Sequence, residues 1–437
     1  MIYYKKFISH ESGDGLFASK NIRTSTTIIQ TNTMMSCLDK TALLSHCSQC
    51  LCESVSLKRC SKCKHIRFCS RECQRLSWKI HKLECSYLQQ IPSSNTIPSL
   101  IRICSLFLSS FNLRNEFNVS DLISHDNLME NEKIHLEYYP FVLEGVGKLL
   151  KSVSTPATPM EIFEIYNKLV VNLFTLEDGQ LKCIGSALIP AISKLNHSCD
   201  PNCVISFEGR NASITAIKDI PSDSEITISY IPLPKSYMKR KMQLQQQYSF
   251  NCLCSLCDKE TSTNFEIYEN PSENKTNRDT VSEKYSFIKD TSSSKCEHSF
   301  TPLNVDDLSL VSTSPVSTSL SNDQLTDVDK LNMLIEETEN YILCKNWELA
   351  LKTGLEAVPR LMKWAHSYPS TGLFLAKMGK LYLEQYTNTL PNYKINARKG
   401  LDMFDASLRC LCLSLSEKHE LRIEVENLYR STKEFLE

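Results

Sequence analysis

The apolar rhythm of this chain changes several times. In Leu100–Leu113 and Met160–Phe174 apolar residues recur at helical spacing, and the stretch from about Tyr87 to Gln180 reads as mainly helical. From Lys182 to Tyr230 the rhythm shortens to β-branched runs: Cys203–Phe207, Ala212–Ile217 and Glu225–Tyr230. Gly209 and Pro221-Ser222-Asp223 fall between those runs, which predicts antiparallel strands joined by turns. Between about Asp258 and Leu325, Ser, Thr, Asn, Asp and Lys replace the large apolar residues. Such a segment cannot bury enough surface to offset its ordering entropy, so residues 261–325 are predicted to be a disordered insertion whose Cys296 and His298 are idle. From Thr326 to Glu437 the helical period returns. Trp347–Leu361 and Gly372–Tyr386 look like paired amphipathic helices of a solenoid.

At 437 residues the chain has room for about two to four domains and a sizeable core. A formal net charge of -1 argues against a protein devoted wholly to nucleic acid. The longest apolar runs, Leu100–Phe111 and Phe141–Leu150, are interrupted and too short to span a bilayer. Met1-Ile2-Tyr3-Tyr4-Lys5-Lys6 lacks the apolar run of a secretory signal. The expectation is a soluble intracellular protein whose 20 cysteines stay reduced and bind metal rather than form disulfides.

The cysteines are densest between Cys47 and Cys85. Cys47-x2-Cys50, Cys60-x2-Cys63, Cys69-x3-Cys73 and His81-x3-Cys85 place eight potential ligands in four pairs. Zinc takes four thiolate or imidazole ligands, and a close pair supplies half a site from one turn, so two closed structural sites are predicted. Spacing alone allows sequential or interleaved pairing. A segment this short lacks a useful core, and metal binding supplies its folding free energy. Cys52 falls outside the pattern as a free thiol, and His46 and His65 read as surface residues. Lys58, Arg59, Lys62, Lys64, Arg67 and Arg71 make the segment basic, a face that suits DNA or acidic partners but more simply reads as solvated charge. Further on, Cys252-x-Cys254-x2-Cys257 offers three thiolates, one short of a closed site, with Cys199 the obvious fourth.

These motifs resemble a known family. The Cys47–Cys85 pattern, with Cys69-Ser70-Arg71-Glu72-Cys73-Gln74 and Trp78-Lys79-Ile80-His81, is similar to a MYND zinc finger. Asn196-His197-Ser198-Cys199-Asp200-Pro201-Asn202, the strand ending Ile228-Ser229-Tyr230 and the downstream cysteines resemble a SET-domain methyltransferase with its post-SET zinc. Gly13-Asp14-Gly15-Leu16-Phe17-Ala18 resembles the turn that opens SET domains. A finger set between that turn and the catalytic half is the arrangement of the SMYD family of lysine methyltransferases. The resemblance implies an α+β fold: a β-rich, pseudo-knotted SET core with an inserted finger, a helical insertion, a post-SET zinc site and a C-terminal α-helical, TPR-like lobe. Its parts would be the first SET segment (1–46), finger (47–85), helical insertion (86–180), catalytic SET half (181–235), post-SET region (236–260), polar insertion (261–325) and helical lobe (326–437).

The resemblance also assigns roles. Cys47, Cys50, Cys69 and Cys73 would hold one zinc ion, Cys60, Cys63, His81 and Cys85 a second, and Cys199, Cys252, Cys254 and Cys257 a third. The cofactor would be S-adenosylmethionine, bound by Ser12, Gly13, Asp14, His125, Asn172, Asn196, His197, Tyr248 and Phe250, with Tyr230 beside the reacting atoms. Family members commonly carry basic side chains in the opening turn where this chain has Asp14: an acid there would weaken contact with the cofactor's carboxylate, unless Asp14 engages the amino group or the turn contributes backbone contacts alone. The implied substrate is a lysine on a histone or another protein. Implied partners are a proline-rich peptide at the finger, a chaperone at the C-terminal lobe and, weakly, DNA. The implied setting is a monomer of cytoplasm and nucleus, away from membranes. The rival reading is a catalytically weak adaptor that binds proline-rich peptides through its finger.

Overall fold

A computed structural model describes residues 2–9, 13–92, 97–110, 122, 133–261, 326–384 and 390–437. Ser12, His125 and the polar insertion from 262 to 325 lie outside the described residues. The N-terminal half is built from small sheets. Strands β1 (Tyr3–Ser9) and β2 (Gly13–Ala18) form an antiparallel hairpin. Strand β3 (Thr27–Asn32) pairs with β11 (Asn211–Ala216), which pairs with β10 (Cys203–Glu208). Strand β4 (Met35–Leu38) pairs with β8 (Cys183–Leu188), and β8 with β7 (Leu173–Glu177). Segments far apart in sequence thus share both three-stranded sheets, and Ile28, Ile29, Ile184, Ala187, Ile214 and Ala216 meet in one core.

The β10–β11 turn shows how sequence fixes position. Glu208 pairs with Asn211, leaving Gly209-Arg210 as a two-residue loop, and Gly209 has φ +58. A Cβ at Gly209 would stand 2.6 Å from the Cys50 carbonyl oxygen, so glycine is needed both for the turn and for its close approach to the finger.

The finger contains the short hairpin β5 (Lys58–Arg59) with β6 (Arg67–Phe68), then the helix Arg71–Leu88. That helix starts at Ser70, whose Oγ accepts the Cys73 N–H at 3.1 Å. The helical insertion comprises Ser99–Ser109, Lys133–Ser152 and Pro159–Asn172. Thr158 and Glu161 form a capping box, with Pro159 in the first turn. The helical pattern read through Phe174 stops earlier. Leu173–Glu177 is a strand, because pairing with β8 overrides the local period.

Helices Asp327–Leu343, Trp347–Ala365, Pro369–Glu384, Leu390–Ser414 and Glu420–Leu436 make the C-terminal lobe. A Cβ on Gly372 would lie 2.4 Å from Leu411 Cδ2, and one on Gly379 2.5 Å from Phe404 Cε1, so small residues set the approach of two helices. The lobe docks on the β7–β8 turn: Leu181 packs into the cluster of Ala376, Phe404, Leu411 and Leu421, and Gln180 Nε2 donates to Glu424 Oε2 at 2.7 Å. Elsewhere Lys239 pairs with Asp329 at 2.9 Å. His46 is a correction. It is 4% exposed, bonded to Ser45 Oγ at 2.9 Å and 3.6 Å from Asp178, because the β7–β8 turn covers it. His65 is half-buried, with Nε2 on the Ile91 carbonyl at 3.2 Å.

The same turn carries a pH-dependent strain. Burial and the neighbouring Asp178 charge push the Glu177 carboxyl up to about 7 from 4.5. Between those values the folded chain binds more protons than the unfolded one, so stability falls as pH rises through the window. Glu177→Gln removes this penalty. Melting curves across pH should coincide with wild type below about 4.5 and show a gain of roughly 1–3 kcal/mol above 7, partial exposure allowed for. A gain that stays constant with pH would refute this account.

Candidate active site and metal centres

Three groups of four ligands converge: Cys47, Cys50, Cys69 and Cys73; Cys60, Cys63, His81 and Cys85; and Cys199, Cys252, Cys254 and Cys257. Within each group all ligand atoms lie within 4.8 Å of one another. Zn–S bonds of about 2.3 Å at tetrahedral angles require sulfurs about 3.8 Å apart. The separations of 3.7 Å for Cys50–Cys69, 3.9 Å for Cys60–Cys85 and 3.9 Å for Cys199–Cys252 fit that edge. All three donor sets therefore suit zinc.

The finger ligands interleave for a local reason. The helix Arg71–Leu88 places Cys73 in its first turn and carries His81 and Cys85, at i and i+4, on one face farther along. One helix so serves both groups. His81 presents Nε2 to Cys63 Sγ at 3.6 Å and directs Nδ1 to Glu84 Oε1 at 3.1 Å. Glu84 is gripped by Arg102 of the helical insertion, at 2.8 Å from Nε and 2.9 Å from Nη2. Burial alone would raise the Glu84 carboxyl, but Arg102 and His81 hold it down at about 2. A carboxylate that orients a ligating histidine fixes its ring and tautomer. Sequence reading missed both residues, although Arg102 stands out as the lone charge in the run Leu100–Leu108. Arg102→Met strands a buried carboxylate and should destabilise the fold by about 3–5 kcal/mol in denaturant titrations of the zinc-loaded protein. A loss under about 1 kcal/mol would mean the pair is not a structural tie.

The third group borders the remaining chemistry. Strand β9 (Asn196–His197) runs parallel to β12 (Thr227–Ile228), pairing Asn196 with Thr227 and His197 with Ile228. Asn202 braces this crossing: its Nδ2 donates to the Glu225 carbonyl at 2.8 Å and its Oδ1 accepts the Thr227 N–H at 2.9 Å. His197 Nδ1 accepts the Tyr230 N–H at 3.0 Å, so a neutral ring carries its proton on Nε2, 3.3 Å from Cys199 Sγ. Both ring nitrogens are thus engaged within the protein. Cys199 lies 3.5 Å from Cys257, which also receives Arg240 Nη2 at 3.8 Å.

Tyr230 stands among aromatic rings, with centroids 5.4 Å from His197, 5.0 Å from Tyr248 and 6.4 Å from Phe250. Its hydroxyl donates to the Leu195 carbonyl at 2.7 Å, and Tyr248 donates to the Tyr230 carbonyl at 3.2 Å. Burial, then Tyr248 and Glu225, push the Tyr230 phenol far above neutrality, and burial raises Tyr248 to about 12. Both remain phenols at neutral pH.

The opening turn closes the group from the other side. Asn196 Nδ2 donates to Glu225 Oε1 at 2.8 Å and lies 3.3 Å from the Asp14 carbonyl oxygen. A Cβ on Gly15 would fall 2.6 Å from Glu225 Oε1 and 2.7 Å from Ile8 Cδ1, whereas one on Gly13, at φ +65, would meet nothing within 4 Å. The turn is packed at Gly15 and open at Gly13. The Asp14 carboxylate does not stand alone, since Lys5 holds it at 2.6 Å across the hairpin. Asn172 is buried, with its Nδ2 turned back to the Lys168 carbonyl at 2.7 Å. The structure therefore gathers Gly13, Asp14, Asn196, His197, Tyr230, Tyr248 and Phe250. Glu225, which sequence reading missed, joins this group through Asn196.

A family model described as SET domain matches residues 13–231. The chain belongs to the SET domain family. The SET match opens at Gly13, closes one residue past Tyr230, and has the finger and helical insertion inside it. The "SET domain and MYND-type zinc finger protein 6" of Schizosaccharomyces pombe is 33% identical over 261 residues, covering 58% of this chain and 51% of that protein. "Histone-lysine N-methyltransferase SMYD3" of Homo sapiens is 28% identical over 260 residues, 58% of this chain and 61% of that one. "N-lysine methyltransferase SMYD2-B" of Xenopus laevis is 26% identical over 408 residues, 88% of this chain and 91% of that one. The chain spans about half to three-fifths of the first two relatives and nearly all of the third. Among the described residues no helix is long and apolar enough to cross a membrane.

Proposed function

We infer that this chain is an S-adenosylmethionine-dependent protein-lysine N-methyltransferase. The observation that carries the reading is the convergence of the opening turn, Asn196, Tyr230 and Phe250 beside the third zinc-ligand group. The cofactor supplies a methyl group on an electrophilic sulfonium. The open turn at Gly13, the Asn196 segment and the Phe250 ring would hold its polar end and its base. Zinc would serve structure alone, because each group fills its shell with four protein ligands and keeps no open position.

The chain's own work is positional. An attacking lysine has an ordinary pKa of about 10.4 and must be neutral, and the aromatic rings around Tyr230 favour that form by desolvation. The Tyr230 hydroxyl and the Leu195 carbonyl provide oxygens 2.7 Å apart that can orient the amine and accept polarised C–H groups. No covalent bond to the protein is needed. The same reading takes a lysine-bearing protein as substrate. A proline-rich partner would dock on the exposed Trp78 of the finger helix, which already has Lys62 Nζ 5.4 Å from its ring centroid.

Calorimetric titration with S-adenosylmethionine, followed by incubation of the zinc-loaded chain with labelled cofactor and mixed histones or a protein array, tests the proposal. Cofactor binding with label appearing on lysine supports the enzyme. Absence of any cofactor binding supports the adaptor instead.

A further inference from the structure

A cavity of about 370 Å³ lies between the finger and the SET core, formed by other residues than the Tyr230 site. The strand β4 end supplies Met35 and Ser36, the finger supplies Ser48, Gln49, Leu76 and Ile80, and the β10–β11 turn supplies Arg210. Its lining mixes apolar side chains with polar ones. Three cationic side chains, Lys79, Arg102 and Arg210, face one carboxylate, Glu84. That carboxylate is already committed to Arg102 and His81.

Arg210 is the informative member. Its Nη2 donates to the Thr33 carbonyl at 2.6 Å, and its own carbonyl accepts the Thr33 N–H at 2.8 Å, so the residue is anchored. Among the described residues it has no ion-pair partner, although burial disfavours its charge. The hydroxyls of Ser36 and Ser48, both on the cavity wall, are buried without hydrogen-bond partners among the described residues. An unpaired guanidinium with two unsatisfied hydroxyls is an anion receptor whose polar groups gain partners only when something enters.

We propose that this cavity is a binding site for a carboxylate carried on an apolar body. The carboxylate would pair with Arg210 and accept from Ser36 and Ser48, while the apolar part rests against Met35, Leu76 and Ile80. The volume suits a group of the size of an aromatic acid or one acidic side chain with its apolar neighbour. Because its walls come from both finger and core, an occupant ties the finger to the SET sheets. The proposal stands apart from the methyltransferase reading: the zinc ligand His81 borders the cavity, but Arg210, Ser36 and Ser48 take no part in that reading.

The test uses the full zinc-loaded chain and calorimetric or fluorine-NMR titration. One arm uses 3-phenylpropionate and its amide; the other uses the capped peptide Leu-Glu-Phe and its Leu-Gln-Phe counterpart. Acids should bind and amides should not, and whichever acid binds more tightly identifies a free or a peptide-borne ligand. Arg210→Gln should weaken the acid by about ten- to a hundredfold, the range of one charged hydrogen-bond pair, with zinc content unchanged. Leu76→Trp, on the exposed face of the finger helix, should block the cavity without touching the receptor groups. The proposal fails if neither acid binds, if acids and amides bind equally, or if both variants bind like wild type. The acid–amide comparison needs no substitution, so it holds even if Arg210→Gln folds poorly.

Discussion

Tyr230→Phe is expected to slow methyl transfer by about a hundred- to thousandfold while leaving S-adenosylmethionine affinity within a few-fold of wild type. The ring keeps its place against His197, Tyr248 and Phe250, and the backbone N–H keeps its bond to His197 Nδ1, so only one oxygen is lost. Removing one placed polar group from a reacting centre raises the barrier by about 2.7–4 kcal/mol, by analogy with oxyanion donors. The Leu195 carbonyl would also lose its donor. Rate and affinity should therefore separate. Single-turnover rates with a labelled cofactor, beside calorimetric cofactor binding, make the comparison. Equal rates for wild type and variant would mean that the observed activity came from a contaminant. A parallel fall in binding would mean that the tyrosine holds the pocket rather than the reaction.

The second large effect is expected from the third metal group. Cys199→Ser should lower the zinc content from three ions to two by elemental analysis and abolish measurable cofactor binding. Structural zinc contributes about 10–16 kcal/mol of apparent binding free energy in small domains, comparable with the whole stability of a domain. Cys199 reaches Cys257 at 3.5 Å and His197 Nε2 at 3.3 Å, and His197 in turn carries the Tyr230 N–H. Losing that ion frees the segment bearing Phe250 from the segment bearing Asn196. The finger should keep its two ions, since no residue is shared between the groups. Finding three ions in the variant, or two in wild type, would remove Cys199 from the ligand set.

Metal chemistry was the most legible part of this chain because ligand spacing is local. Cys47 to Cys85 and Cys252 to Cys257 announce themselves by type and interval, and only their grouping needed the resemblance or the structure. The hairpin Cys203–Ala216 was also readable, since Gly209 marks its turn. The rest of the SET sheet was not. Strands β9 and β12 are two residues long and gain stability from the Asn202 brace, which no periodicity can show. Leu173–Glu177 continues an apolar helical pattern and becomes a strand only because β8 is there to pair with it. Glu225 was hidden for a related reason. A carboxylate in a β-branched run looks like surface charge until the fold brings Asn196 to within 2.8 Å. His46 erred in the opposite sense, a polar residue assigned to solvent that tertiary packing covers. The ion pair of Asp14 with Lys5 joins two strands of one hairpin and could not be read from the opening-turn motif alone.

The pairing of β3 with β11 sets an order of events during synthesis. Ile29 faces Ile214, and Met35 faces Leu188, so β3 and β4 emerge from the ribosome long before their partners exist. The finger is under no such delay. All eight of its ligands lie between Cys47 and Cys85, and both groups can close once Cys85 is made. A newborn chain would then present a metal-tightened module beside unpaired, isoleucine-bearing strand edges, with more than a hundred residues still to be added before β11 appears. Non-local pairing of this kind is slow and leaves edges open to other chains. Zinc supply during translation, and a chaperone able to cover Thr27–Leu38 meanwhile, would govern the yield of folded protein more than its final stability does.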